Sequence, residues 1–146
     1  MDVLDQNIIK ILQADGRASN ASIARSVGVS EGTVRRRLKS LVDENMIKVI
    51  AAPNLEQMGY NTAALIGLQT DPGSVDLVAD ALSSLESTHY VAITTGAYDI
   101  FAWVGLESPE QLGLFLRSQV GTIPGIRRTE TFVNLTIRKR THGLVI

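Results

Sequence analysis

The chain has no cysteine and only two histidines in its 146 residues. The first absence excludes disulfides and thiolate chemistry. The histidines, His89 and His142, stand far apart with no cysteine or carboxylate at ligand spacing, so neither a metal nor any other cofactor is expected. His89 reads as a strand start and His142 as part of a solvated tail. No apolar run approaches the roughly 20 residues of a membrane span, and Met1 leads into an acidic helical segment with no signal-peptide pattern. A cytoplasmic protein is expected. A phosphate-cradling loop is also missing, because Gly28-Val29-Ser30-Glu31-Gly32 lacks the lysine and preceding strand of a P-loop. Glu107 and Glu110 flank a helix start, where they suit the helix dipole better than acid–base work. Nothing here reads as an enzyme.

What is present is a folded chain with its charge unevenly placed. Hydrophobic residues make up 45% and charged residues 20%, which excludes disorder. The net charge is only −1, yet residues 1–50 carry eight basic against six acidic side chains and the remainder six against nine. A local basic patch is what phosphate contact requires. The acidic remainder suggests a different task.

The basic patch coincides with the most patterned stretch, Gly16 to Lys48. Ser19 or Asn20 can cap a short helix in which Ile23, Ala24 and Val27 recur at helical spacing. Gly28 is a natural helix stop. Ser30 caps a second helix with Val34, Leu38 and Leu41 as its buried stripe. Ser30, Glu31, Gly32, Thr33, Arg35, Arg36, Arg37 and Lys39 fall off that stripe. Two capped helices around a glycine turn form a helix-turn-helix, whose second helix enters the major groove of DNA. Its first turn normally meets base edges, which favours Glu31, Gly32, Thr33, Arg36 and Arg37; base and phosphate roles remain open among the arginines. A charge run alone is more often a solvated face, but here caps, turn and stripes agree. Upstream, Asp2 or Asp5 begins a helix with Leu4, Ile8, Ile11 and Leu12 on one face, ending near Asp15-Gly16. Downstream, Met46 to Ala52 reads as a wing strand that Pro53-Asn54 breaks.

From Ala63 the pattern changes. Ala63 to Gln69 reads as a buried strand, and Asp71-Pro72-Gly73 as a turn. Ser74 caps a helix with Val75, Val78, Leu82 and Leu85 inward. Strands follow at Tyr90 to Thr95 and Asp99 to Leu106, separated by a turn at Gly96-Ala97. Ser108-Pro109-Glu110-Gln111 starts a second helix, with Leu112, Phe115, Leu116 and Val120 on its apolar face. Pro124-Gly125 turns into a last strand, Thr131 to Arg138, in which Val133, Leu135 and Ile137 alternate. The order β-α-β-β-α-β is a split βαβ, ferredoxin-like sandwich. Two helices cover one sheet face. A second copy of the chain is the economical cover for the other, with Phe101, Trp103 and Phe132 as interface candidates. The fold class is α+β: residues 1–50 a winged helix-turn-helix, 51–60 a linker, and 61–146 the ferredoxin-like domain.

G-R-A-S-N at Gly16 to Asn20, V-G-V-S-E-G-T-V-R-R-R-L at Val27 to Leu38, G-A-Y-D at Gly96 to Asp99 and P-G-I-R-R-T-E-T at Pro124 to Thr131 together resemble the Lrp/AsnC (leucine-responsive or feast/famine) transcriptional regulators across essentially the whole chain. The resemblance implies a sequence-specific regulator of double-stranded DNA that dimerises through its C-terminal domain, often assembling into octamers. It also implies amino-acid effectors held in clefts between C-terminal domains. In the family the turn matching Thr95, Gly96, Ala97, Tyr98 and Asp99 lines that cleft, with threonines matching Thr129 and Thr131 nearby. Turn amides can hold a carboxylate, Asp99 can pair an ammonium group, and threonine hydroxyls can serve either. Ala97 departs from the acidic residue many members carry, which removes one polar contact. The plainer reading is a hairpin turn that Asp99 caps, in an effector-independent architectural DNA-binding protein. Haem-pathway decarboxylases share this architecture, but the intact arginine run and the few histidines weigh against that activity. Arg138-Lys139-Arg140 reads as a frayed basic end or a second phosphate contact.

Overall fold

Each helix of the N-terminal part begins where a short side chain satisfies the orphan amides of the first turn. The computed structural model describes residues 1–139; Arg140 and His142 lie outside the described residues. It comprises two compact units, Met1–Ala52 and a second beginning at Pro53. In the first, α1 spans Val3–Ala14, α2 Asn20–Val27 and α3 Glu31–Asp43. Asp2 caps α1 reciprocally: the Asp5 amide donates to Asp2 Oδ1 at 3.0 Å and the Asp2 amide to Asp5 Oδ2 at 2.8 Å. Ser19, rather than Asn20, caps α2 by accepting from the Ser22 amide at 3.1 Å. Ser30 caps α3 through the Thr33 amide at 3.2 Å. Such a cap is worth about 1 kcal/mol. Gly28 closes α2 at φ 74°, left-handed as a helix stop requires. Ile8, Ile23, Ala24 and Val34 form the core of this unit, with Leu4, Ile11, Leu12 and Val27 packed around it.

Met46 to Ala52 is not a strand in this chain. A strand needs a neighbour for its amides and carbonyls, and among the described residues no strand pairs with this segment. Met46, Val49 and Ile50 are exposed along it.

The second unit is a four-stranded antiparallel sheet with helices on one face. Strand β1 is Thr62–Thr70, β2 Thr88–Ile93, β3 Ile100–Leu106 and β4 Ile126–Val133, in the spatial order β2-β3-β1-β4. Helix α4 spans Val75–Ser83; α5 spans Pro109–Phe115 and runs on as a π-helical turn, Leu116–Val120. This is the expected βαββαβ arrangement. Ala64, Ile66 and Leu68 of β1 and Ile100, Ala102 and Val104 of β3 point one way, onto Val78 and Leu82 of α4 and Leu112 and Phe115 of α5. That alternation follows from the two-residue period of a strand.

β2 lies two residues earlier than the sequence reading had it, and both ends of the last strand lie five residues earlier. The last strand starts at Ile126, not Thr131, because Pro124-Gly125 feeds the chain straight into register with Thr70 of β1. It ends at Val133, opposite Ala64, with one further bond in which the Asn134 amide donates to the Ala63 carbonyl at 2.9 Å. Leu135 is consequently 95% exposed instead of alternating inward. Ser74 sits at the start of α4 without accepting a capping bond. Among the described residues, no helix is long and apolar enough to cross a membrane.

Phe115 is 2% exposed beneath the sheet. Phe115→Ala is expected to cost about 3–5 kcal/mol through lost burial and a residual cavity. A urea titration followed by circular dichroism checks this; a cost below about 1 kcal/mol would deny Phe115 its place in the core.

Candidate nucleic-acid interface and effector turn

The packing of α3 decides which of its polar residues face outward. Val34 is fully buried, Leu41 nearly so and Leu38 half-buried. At roughly 100° per residue, the opposite face carries Gly32, Arg36, Lys39 and Asp43. The Arg36 side chain is exposed there and has no ion pair among the described residues. Arg35 flanks this face and pairs with Glu31 at 2.6 Å, and Lys39 pairs with Asp43. Both are exposed pairs one turn apart, worth little in water and easily exchanged for phosphate. Ser30 and Thr33 hold each other at 2.9 Å between hydroxyls, so their first task is the cap. Glu31 and Gly32 lie exposed in the first turn, while Ser19 and Asn20 stand at the start of α2.

Arg37 departs from expectation. It lies on the side of α3 that faces α1, and its guanidinium reaches Asp2 at 2.8 Å and the buried Asp5 at 3.5 Å. The Asp2 carboxyl is held below the ordinary carboxylate range, first by the Asp5 amide and also by this guanidinium. One turn of helix therefore separates the three consecutive arginines: Arg35 to a flank, Arg36 outward, Arg37 inward toward α1. A polar cavity of about 130 Å³ lies beside this contact, lined by Met1, Asp5, Arg37, Ser40, Leu41, Glu44 and Met46. It is smaller than the ~300 Å³ and upward of ordinary ligand pockets.

The second candidate site is the turn between β2 and β3. Asp99 is tied into the chain: its Oδ2 accepts from the Thr70 amide at 2.8 Å and the Thr70 hydroxyl at 3.3 Å. The Thr94 hydroxyl donates to the Tyr98 carbonyl at 2.9 Å, and the Gln69 amide group to the Ala97 carbonyl at 2.8 Å. Asp99 thus serves as the turn's staple, as its plainer reading had it. The amides of Thr95, Gly96, Ala97 and Tyr98 have no acceptor among the described residues.

The Tyr98 ring lies over Gly67, where a Cβ would stand 2.8 Å from the ring. It meets Phe101 edge-on at 5.4 Å and Phe132 at 6.3 Å between centroids, and its hydroxyl bonds to the Glu130 carboxylate. This cluster occupies the sheet face opposite the helices. Glu130 belongs to it because it pairs with Gly67, whereas Thr129 and Thr131 pair with Leu68 and Ile66, which point toward the helices. The chain therefore does not bring Thr129 and Thr131 to Tyr98. Gly67 and Glu130 escaped the sequence reading; a glycine inside an otherwise apolar strand was the available signal. Among the described residues no three histidine, cysteine or acidic side chains converge as a metal site would need.

Gly67→Ala is expected to destabilise the sheet unit by about 1–3 kcal/mol through overpacking. The loss should vanish in a Tyr98→Ala background, which chemical denaturation of the four variants can measure. An equal loss in both backgrounds would contradict the contact.

Comparison with known proteins adds an independent line. An AsnC-type helix-turn-helix domain model matches residues 1–42, and an Lrp/AsnC ligand binding domain model matches residues 63–144. An uncharacterised HTH-type transcriptional regulator of Pyrococcus furiosus is 39% identical over 140 residues, covering 95% of each chain. The HTH-type transcriptional regulator FL11 of Pyrococcus abyssi is 36% identical over 147 residues, covering all of this chain and 97% of its own. Escherichia coli AsnC superposes with a TM-score of 0.91 at 27% identity, covering 97% of both chains. A Neisseria meningitidis regulator solved as an L-Met complex shares the fold, with a TM-score of 0.91 at 20% identity over 99% of this chain and 96% of its own. These relatives are regulators and not enzymes. A helix-turn-helix unit and a ferredoxin-like ligand-binding unit in one chain, with relatives matched from end to end, place this protein in the Lrp/AsnC family of DNA-binding transcriptional regulators.

Proposed function

We propose that residues 1–50 read an operator through α3 and that residues 61–146, joined by a linker at 51–60, bind an amino acid and hold the assembly together. The observation that carries the DNA half is Arg36: exposed, without an ion pair among the described residues, and opposite the buried Val34 on α3. Gly32 and Lys39 share that face, and Glu31, Thr33 and Arg35 border it. Ser30, with Ser19 and Asn20 at the start of α2, supplies neutral donors for the flanking phosphates. Arg36 is the residue best placed for a guanine edge.

One reading head makes few base contacts, so a two-fold dimer with half-sites about one helical turn or a multiple apart follows. The open sheet face, bearing Phe101, Trp103 and Phe132, is the surface through which the copies join, and further association to an octamer would engage several sites at once. The effector half rests on the turn amides from Thr95 to Tyr98, which have no acceptor among the described residues and can take a carboxylate. Thr129 and Thr131 reach such a ligand only from a neighbouring copy, since in their own chain they point to the other face. The L-Met complex of the Neisseria regulator supports an amino acid as the ligand class. The second reading, an architectural DNA-binding protein with no effector, draws on Ala97 and on the engagement of Asp99 with Thr70.

Selection from a random-sequence duplex pool yields a probe for the DNA half. Arg36→Ala should weaken binding to that probe by about tenfold or more and reduce the salt slope by about one per subunit engaged. Unchanged affinity would reject α3 as the reading element. In a thermal-shift screen of the twenty amino acids, at least one should stabilise wild type and Arg36→Ala equally, by about 2.7 kcal/mol at a hundredfold excess over Kd. No response from any would select the architectural reading.

A further inference from the structure

We infer that Arg37 is a positioning residue, which locks α3 to the first turn of α1 through Asp2 and Asp5 and sets the angle at which Arg36 meets DNA. The inference rests on α3 being the reading helix. Each of the two carboxylates divides its oxygens between two tasks. Asp2 Oδ1 accepts from the Asp5 amide and Oδ2 from Arg37 at 2.8 Å. Asp5 Oδ2 accepts from the Asp2 amide, and Oδ1 stands 3.5 Å from the other guanidinium nitrogen of Arg37. The reciprocal cap of α1 and the cross-helix ion pair are therefore one network.

Burial makes this contact hard to give up. The Asp5 side chain is only 7% exposed, and Arg37 is its one cationic partner among the described residues. A buried carboxylate stripped of its partner is strongly destabilising. Arg37 cannot leave for a phosphate without imposing that penalty, whereas among the described residues Arg36 carries no such tie and Arg35 and Lys39 hold exposed ones. The planar fork of a guanidinium can address two carboxylates at fixed angles, which a lysine cannot do. Val34 and Leu41 anchor α3 along its buried stripe; Arg37, on the adjoining face between them, adds a lateral tie to the start of α1 that holds its tilt. The sequence shows three equivalent arginines, and the structure withdraws one from the DNA.

The test compares binding of the pool-selected duplex across a sodium chloride series for wild type, Arg36→Ala, Arg37→Met, Arg37→Lys, Asp5→Asn and Asp5→Asn/Arg37→Met. All are assayed at a temperature where circular dichroism shows them folded. Arg37→Met should weaken binding about tenfold with the salt slope unchanged, unlike Arg36→Ala, which lowers the slope. Arg37→Lys should rescue only in part, and the double variant should be no weaker than Arg37→Met alone. Should Arg37→Met not fold, Asp2→Asn, altering an exposed partner, should give a smaller loss at the same slope. The inference is overturned if folded Arg37→Met binds like wild type, if it lowers the slope as Arg36→Ala does, or if Asp2→Asn binds like wild type. Unchanged binding by Arg36→Ala would instead remove the reading-helix assignment beneath it.

Discussion

Burial of Val34 against Ile8 and Ile23 fixes the rotation of α3 about its own axis, and the chemistry of the N-terminal unit follows from that single packing contact. A helix turns through about 100° per residue, so anchoring one side chain assigns a direction to every other. Three neighbouring arginines thereby acquire three surroundings: Glu31 for Arg35, solvent for Arg36, the Asp2–Asp5 pair for Arg37. Caps at Ser19 and Ser30 and the left-handed Gly28 between them make the turn rigid, so the outward face is presented without an ordering penalty at each encounter.

The C-terminal unit obeys the corresponding rule for strands. With Ile66, Leu68, Ala102 and Val104 committed to the helices, their neighbours in β1 and β3 have to occupy the other face. There the aromatic cluster of Tyr98, Phe101 and Phe132 surrounds a glycine, and Glu130, in register with that glycine, accepts from the Tyr98 hydroxyl and stands 4.0 Å from Arg128. The turn that delivers Tyr98 is held by Asp99 and Thr94, and its own amides find no acceptor among the described residues. A rigid turn with free donors, beside an open apolar face, is on the proposed reading where assembly and effector binding meet.

Much of this was legible from residues in order. The caps at Ser19 and Ser30, Gly28, the stripes of α2 and α3 and the alternation in β1 and β3 are local signals, and the structure reproduces them. The wing at Met46 to Ala52 was not, because β-propensity describes a segment while a strand needs a partner, and none pairs with it among the described residues. The end of β4 was not legible either: Val133, Leu135 and Ile137 alternate faultlessly, yet the ladder with β1 stops at Val133, opposite Ala64. At the sites, periodicity separated Arg36 from the core yet could not see that Arg37 faces α1, which depends on how two helices cross. The placement of Glu130, instead of Thr129 and Thr131, beside Tyr98 hinges on a register that no single strand encodes.

The central claim is that the Gly32–Arg36–Lys39 face of α3 sits in the major groove of a two-fold operator. Methylation interference on the selected duplex tests it most directly, because N7 of guanine lies in that groove and nowhere else. The account predicts interference at guanines in two symmetric clusters about one helical turn or a multiple apart, weakened in Arg36→Ala. Interference confined to adenine N3 in the minor groove, or none at any guanine, would contradict it.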